Sequence, residues 1–253
     1  MNNIISIAKN TFKETIRDRI LYGIFTFALL FLIATIFLGT ISLGEDIKVV
    51  KDLGLAGIYI FSLIITIFLG SSLIHKELEK KTTYILFSKP VSIFQFVIGK
   101  FLGLWTSIIL NVLLMTAVFL IIVAAKGGGF DGLATIAVLI SLFELAIFVA
   151  LTVFFSSFTT PLASTLYAII ILYVGHSLDL LKRYAIKSGG FSKILGNIAY
   201  YIFPNLEKFN LRNSIVYDIH PNTSQIIYPV LYSVLFVAVF LWGAMAALKS
   251  QEL

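Results

Sequence analysis

Six long apolar segments, separated by more polar ones, constrain the fold of this chain more than any other feature. A helix that crosses the hydrocarbon core of a bilayer needs roughly 20 predominantly apolar residues. Long uniform segments favour helices over the short alternating strands of a membrane barrel. The segments are 20–44, 53–74, 101–125, 133–155, 162–178 and 226–248. The sequence therefore predicts an all-α integral membrane protein, with six transmembrane helices in a single domain over residues 1–253.

Composition excludes several other classes. The chain is 59% hydrophobic and 13% charged, whereas roughly a quarter of a soluble domain is charged. Basic residues are divided between several loops, so nucleic-acid binding is not expected. The absence of cysteine excludes disulfides and thiolate metal sites. The first apolar segment is too long for the apolar region of a signal peptide, and we expect it to be retained as a span.

The distribution of lysine and arginine predicts the orientation. Basic residues concentrate before the first segment and in the loop after the second, which places both termini and that loop in the cytoplasm. The protein is then a multi-pass protein of the cell (inner, cytoplasmic) membrane. Residues 179–225 would lie outside, although their six basic residues count against this assignment. They form either short helices on or in the outer leaflet or a small solvent-exposed cap.

The N-terminal segment, residues 1–19, has the pattern of an amphipathic helix. Ile4, Ile5, Ala8, Phe12 and Ile16 share one side of a helical wheel. That pattern is typical of a helix that lies in the cytoplasmic interface of a membrane. The alternative is a solvated helical tail.

Motifs of enzymes and nucleotide-binding proteins are absent from the sequence. It has no phosphate-binding loop, no HExxH and no serine nucleophile elbow. His75, His176 and His220 lie in different predicted segments, so a metal cluster is not expected. Tyr167, Tyr173 and His176 are interpreted as interfacial anchors of the fifth segment. We expect no catalytic, cofactor-binding or metal-binding residue in this chain.

Glu144 lies near the middle of the fourth apolar segment. A carboxylate at that depth costs several kcal/mol unless it is protonated, paired or hydrated. It is therefore a candidate for the translocation pathway. The alternative is a structural hydrogen bond to the third segment, for instance to Asn111 or Ser107.

The loop between the second and third segments is the most charged part of the chain. Residues 76–88 are predicted to form a helix, supported by the oppositely charged i,i+4 pair Glu77 and Lys81. Pro90 ends this helix because it lacks a backbone donor and restricts the preceding residue. A charged helix between two spans is well suited to contact with another protein, whereas a solvated connector would not need its length or its apolar half.

The same loop carries motifs that resemble a known family. They are Glu77-x-Glu79-x-x-Thr82, Leu86-x-Ser88-Lys89-Pro90-Val91-Ser92 and Gly99-Lys100-Phe101-x-Gly103. These motifs are similar to the loop after the second span in permease subunits of ABC-2 type exporters. The closest resemblance is to the branch that includes the copper-maturation permease of nitrous-oxide reductase operons, although Ile93 stands where that pattern has arginine. A second match, to the outer segment of that branch, is Phe203-Pro204-Asn205-Leu206-x-x-Phe209-Asn210-Leu211-Arg212.

The resemblance implies that residues 76–88 are a cytoplasmic coupling helix that contacts a separate ATPase subunit, in which ATP and Mg²⁺ would bind. It also implies export and a dimeric assembly, with a second copy of this chain or a sister permease. The residues implied in coupling are Glu77, Glu79, Lys80, Thr82, Lys89 and Pro90. Two alternatives stay open: a secondary transporter or channel without an ATPase, and a membrane anchor or assembly factor. The sequence does not identify the substrate.

Overall fold

The computed structural model describes residues 2–41, 45–79, 91–129, 132–188, 190–212 and 220–250. Within these ranges all of the regular secondary structure is helical, which confirms the all-α prediction. The helices are α1 (Asn2–Ile16), α2 (Arg19–Ile41), α3 (Asp46–Ser71), α4 (His75–Glu79), α5 (Ile93–Ala125), α6 (Gly132–Ser156), α7 (Pro161–Ser188), α8 (Gly190–Ile202) and α9 (Thr223–Lys249), with a 3₁₀ turn at Leu206–Phe209.

Six helical segments in the described part of the chain are long and apolar enough to cross a membrane. They are α2, α3 with α4, α5, α6, α7 and α9, which confirms the prediction of a six-helix integral membrane protein. All of them except α2 are longer than the apolar segments that predict them, and α5 and α7 are clear examples. α5 begins at Ile93, where Ser92 and Gln95 form a reciprocal capping box. Residues 179–188, which the sequence places in the loop, continue α7 and pack against α8.

α3 and α6 form the centre of the bundle, where they lie side by side in the same direction. They approach closely at Gly70, where an added Cβ would meet Oγ1 of Thr152. Only glycine fits this contact, because any side chain would displace Thr152. By contrast, α2, α7 and α9 are peripheral and expose large apolar side chains, such as Phe37, Leu162 and Trp242. The exposed apolar surface suits contact with lipid or with another membrane subunit.

One side of the bundle carries α1, α4, the start of α5 and the end of α6, and we call it the proximal side. There, the Ser156 hydroxyl accepts hydrogen bonds from the backbone N–H groups of Ile74 and His75, at 3.0 and 3.1 Å. These bonds satisfy two donors at the corner between α3 and α4. The end of α6 therefore fixes the position of α4.

α1 packs against the first part of α5. Gly99 and Gly103, four residues apart, allow the two helices to approach closely. A Cβ at Gly103 would lie 2.5 Å from the carbonyl oxygen of Ala8. The buried side of α1 includes Thr11 and Thr15, so the packed face differs from the predicted apolar side, of which Ile5 is exposed.

The opposite, distal side of the bundle is formed by the starts of α3 and α6, by α8 and by the 3₁₀ turn. α8 lies against α7, where Gly196 approaches Ala185 so closely that an added Cβ would lie 2.3 Å from the Ala185 Cβ. Ile198, Tyr201 and Ile202 of α8 are exposed. The 3₁₀ turn reaches back over α7 and contributes to the site described below.

We expect Gly70→Ala to destabilise the protein by roughly 1–3 kcal/mol, because the added methyl group overpacks the α3–α6 contact. The measurement is the thermal or denaturant stability of the purified protein in detergent. Gly23→Ala in α2 is the matched control, because nothing lies within 4 Å of a Cβ at that position. This control should be neutral or slightly stabilising. Equal stability of the two variants would contradict the close packing at Gly70.

Candidate functional site

Glu144 is paired inside the bundle with side chains from two other helices. It is only 3% exposed. The Tyr59 hydroxyl of α3 donates a 2.6 Å hydrogen bond to its Oε1, and Nε2 of His176 in α7 lies 3.1 Å from the same oxygen. Tyr59 and His176 are themselves 3.1 Å apart. The three residues therefore form one polar triad, centred on the buried Glu144, that joins α3, α6 and α7.

These partners differ from those that the sequence suggests. Asn111 and Ser107 are the expected partners of Glu144, but the contacts go to Tyr59 and His176 instead. His176, which the sequence suggests as an interfacial anchor, lies with its ring beside Glu144. The fifth span thus presents a polar residue to the core at this depth.

The triad extends to the distal side through the second ring nitrogen of His176. Nδ1 lies 3.4 Å from Oε2 of Glu207, in the 3₁₀ turn. The Asn210 side chain donates a 3.0 Å hydrogen bond to the other oxygen of Glu207. Gly175, next to His176, lets the turn come this close, since a Cβ there would lie 2.6 Å from a methyl group of Leu206. Each ring nitrogen of His176 therefore faces a carboxylate.

Contacts from α7 and α9 hold the 3₁₀ turn in place. The backbone N–H of Asn205 donates to the Tyr232 hydroxyl at 2.8 Å, and its side chain donates to Asp179 at 2.8 Å. Lys208 lies 4.4 Å from the ring centre of Tyr232 and donates to the Tyr228 hydroxyl. Burial alone would lower the pKa of Lys208, but these phenol groups outweigh it and raise the pKa above its usual value. Lys208 thus stays cationic and anchors the turn.

A cavity of about 160 Å³ lies beside Glu144, between α3, α6, α7 and residues 209–212. Its walls are mostly apolar, and its polar groups include Ser141, Glu144 and His176. Near its distal end, Arg212 forms a 2.9 Å ion pair with Asp52. In the part of the chain that the structure describes, no three histidine, aspartate or glutamate side chains come together as metal ligands.

A second, larger space of about 560 Å³ is an apolar groove between α3 and α7. Leu63, Ile67 and Leu172 are among the residues that line it. Tyr59 and His176 line both the groove and the cavity. The hydrogen-bonded pair of Tyr59 and His176 therefore lies between the two spaces.

A second buried charge cluster lies on the proximal side. The Lys100 side chain, in α5, is only 2% exposed, and its ammonium lies 2.5 Å from a carboxylate oxygen of Glu77 in α4. Glu14 of α1 is a second, more distant partner at 3.8 Å. One lysine thus joins α1, α4 and α5.

The structure describes only the beginning of the predicted coupling helix. Glu77 and Glu79 lie in α4. Glu79 is exposed, whereas Glu77 is partly buried against Lys100. The remaining predicted coupling residues lie outside the described residues: Lys80, Thr82, Lys89 and Pro90.

Sequence reasoning missed Tyr59, His176 and Glu207 as members of the central site. A usable signal existed for His176, since it is an ionisable residue near the end of an apolar segment. Glu144 carries the same kind of signal in the middle of the fourth segment. Tyr59 carried no such signal, because it is one of eleven tyrosines. Glu207 lies in a polar stretch in which an acidic residue needs no explanation.

The sequence also matches a known protein family. Residues 5–181, more than two thirds of the chain, match the model of a family described as ABC-2 family transporter protein. The match includes α1, α4 and Glu144, and it ends within α7. No curated protein matches the sequence significantly.

We expect Tyr59→Phe to destabilise the protein by about 1–3 kcal/mol, because the buried Glu144 carboxylate would lose its shortest hydrogen bond. Tyr22→Phe is the control, since Tyr22 is a tyrosine of α2 with 53% exposure. Thermal unfolding of both variants in detergent provides the comparison. If Tyr59→Phe unfolds at the same temperature as Tyr22→Phe, the triad does not stabilise the bundle.

Proposed function

The chain belongs to the ABC-2 family of transporter proteins, and we propose that it exports its substrate with energy from a separate ATPase subunit. Family membership makes it a membrane permease component of an ABC-type transporter. The observation that best supports coupling to an ATPase is the buried ion pair of Lys100 and Glu77. This pair ties α4, the start of the proposed coupling helix, to a span. ATP and Mg²⁺ would bind in the partner subunit.

The proximal side is the cytoplasmic side in this proposal, so both termini and the coupling helix face the ATPase. The concentration of basic residues before α2 and after α3 supports this orientation. The exposed apolar side chains on α8 are suited to the outer leaflet on the distal side. The membrane would be the cell (inner) membrane.

Force from the ATPase would reach the spans through two sets of contacts. Lys100 transmits movement of α4 to α5 and, through Glu14, to α1. Ser156 transmits it to α6 by holding the corner of α3 and α4. Because Lys100 and Ser156 are buried and directly bonded to α4 or to its first corner, α4 cannot move without moving at least one span. That is the physical requirement for coupling between remote sites.

In this proposal, some residues of the coupling helix contact the ATPase and others hold the helix in position. Glu79 is exposed on α4 and available to a partner, and Lys80, Thr82, Lys89 and Pro90 are proposed as contacts by family resemblance. Glu77 is partly buried and already paired with Lys100. We therefore assign Glu77 mainly to positioning the coupling helix.

The central polar triad and the two spaces beside it are the proposed part of the translocation pathway. The apolar groove on α3 and α7 opens at the surface of a single chain. A second copy of this chain, or a sister permease, would close that groove in a dimer. The pair Tyr59 and His176 would then separate the groove from the cavity beside Glu144.

A secondary transporter without an ATPase is the second candidate function. The specific observation in its favour is the row of Glu144, His176 and Glu207, because ionisable groups within membrane spans often form proton relays. The family match favours the ABC-type reading over this one. The closer relation to the nitrous-oxide reductase maturation branch stays a proposal, supported by the loop motifs alone.

We expect Glu77→Lys to weaken co-purification of the ATPase, because two cations would then face each other where the buried pair stood. The double variant Glu77→Lys, Lys100→Glu should restore much of the co-purification, since it rebuilds the ion pair with the two charges exchanged. Glu79→Lys should also weaken co-purification, but Lys100→Glu should not rescue that variant. The measurement is affinity purification in mild detergent, with mass spectrometry of the bound proteins.

Glu45→Lys is the control, as Glu45 is an exposed acid at the start of α3 on the opposite side. It should leave ATPase binding unchanged. If no ATPase accompanies the wild-type protein under conditions that preserve such complexes, the exporter proposal is wrong. If the ATPase binds but Glu77→Lys has no effect, the coupling role of the Lys100 pair is wrong.

A further inference from the structure

We propose that the cavity beside Glu144 binds a protonated organic amine with a compact apolar body. This inference rests on the proposed function, because only a permease gives the cavity a role in transport. It also names a substrate class, which neither the sequence nor family membership supplies. The cavity is a suitable candidate because it combines a buried carboxylate, apolar walls and an open end.

The charge around the cavity favours a cationic ligand. Arg212 lines the cavity near its distal end, and its ion pair with Asp52 balances its charge. The remaining ionisable groups at the cavity are Glu144 and His176, with Glu207 next to His176. The Glu144–His176 pair is neutral overall when Glu144 is protonated and His176 is neutral, or when Glu144 is ionised and His176 is cationic. In either case the three groups carry a net charge of −1, which comes from Glu207. A cationic ligand would balance that charge, whereas an anion would add to it.

The shape and lining of the cavity favour an organic cation with an apolar body. Its volume of about 160 Å³ is close to that of a cavity, about 150 Å³, that holds benzene in another protein. Leu55, Ile58 and Val138 contribute apolar wall, and Phe209 adds an aromatic side chain. An ammonium group can reach Glu144 while the rest of the ligand contacts these side chains.

The arrangement is poorly suited to a bare metal ion. The two carboxylates contact opposite nitrogens of the His176 ring, so the imidazole separates them. They cannot close on one ion without displacing that ring. A hard cation such as Ca²⁺ prefers about six to eight oxygen ligands, and Glu144 is the one carboxylate among the described residues that line the cavity. A single ammonium needs only one carboxylate and a few further acceptors.

Binding of benzylamine to the purified full-length protein, reconstituted in lipid nanodiscs, tests the proposal. Benzylamine is protonated at neutral pH, and benzyl alcohol is its uncharged counterpart of the same shape. Isothermal titration should show saturable binding of benzylamine, with benzyl alcohol about tenfold weaker or more, because it forms no charge-assisted bond to Glu144. Empty nanodiscs provide the blank for partition into lipid.

Two variants locate the site, and a third is the control. Glu144→Gln should weaken benzylamine binding at least about tenfold while leaving benzyl alcohol binding unchanged. Ser141→Leu should weaken the binding of both compounds, since the larger side chain occupies the cavity without changing its charge. Glu45→Gln, on an exposed acid outside the cavity, should bind as the wild type does. Ser141→Leu keeps the test valid if Glu144→Gln does not fold.

The proposal is overturned if benzylamine and benzyl alcohol bind equally, if neither shows saturable binding, or if Ser141→Leu leaves benzylamine binding unchanged. Saturable, Glu144-dependent binding of Na⁺ that excludes benzylamine would also overturn it. The assay contains no ATPase, so its result is independent of the exporter proposal. If an ATPase co-purifies but no amine binds, the exporter proposal stands and this substrate class is rejected. If amine binds but no ATPase co-purifies, the binding site stands and ATP-driven export is rejected.

Discussion

The close parallel packing of α3 against α6 is the contact on which the rest of the structure depends. Gly70 allows the two helices to meet at Thr152, and the same interface brings the Tyr59 hydroxyl to Glu144. At its proximal end, Ser156 holds the corner that leads into α4. A change in the spacing of these helices would therefore disturb the proximal side and the central site together.

Both buried ionisable clusters lie where several helices meet, and this is why a lipid-embedded bundle can tolerate them. Lys100 is surrounded by α1, α4 and α5, while Glu144 is surrounded by α3, α6 and α7. Burial of a charge costs several kcal/mol unless partners compensate. Each cluster therefore requires its helices to stay together, and loss of one partner would leave an uncompensated charge.

The number and type of the membrane helices could be predicted from the sequence, because lipid requires long apolar helices and the segments have that length. The family could also be predicted, since Glu77, Glu79 and the residues around Lys100 carry its loop motifs. The partners of Glu144 could not be predicted, because apolar composition determines that a helix spans the membrane but not which neighbouring helix it packs against. The length of α7 could not be predicted either, because four charged residues interrupt the apolar pattern over residues 179–188, where α7 packs against α8.

The two clusters are connected by α3, and this connection offers a physical route between them. Tyr59 and the α4 corner at Ile74 lie on one continuous stretch, separated by roughly 20 Å at 1.5 Å per helical residue. A helix of that length moves as a rigid rod over small displacements. A push on α4 that shifts α3 against α7 would lengthen the contact of Tyr59 with His176. That contact lies between the groove and the cavity, so its opening would join the two spaces. The polar triad would then have two discrete arrangements, closed and open, which is the kind of element that a remote ATPase can bias.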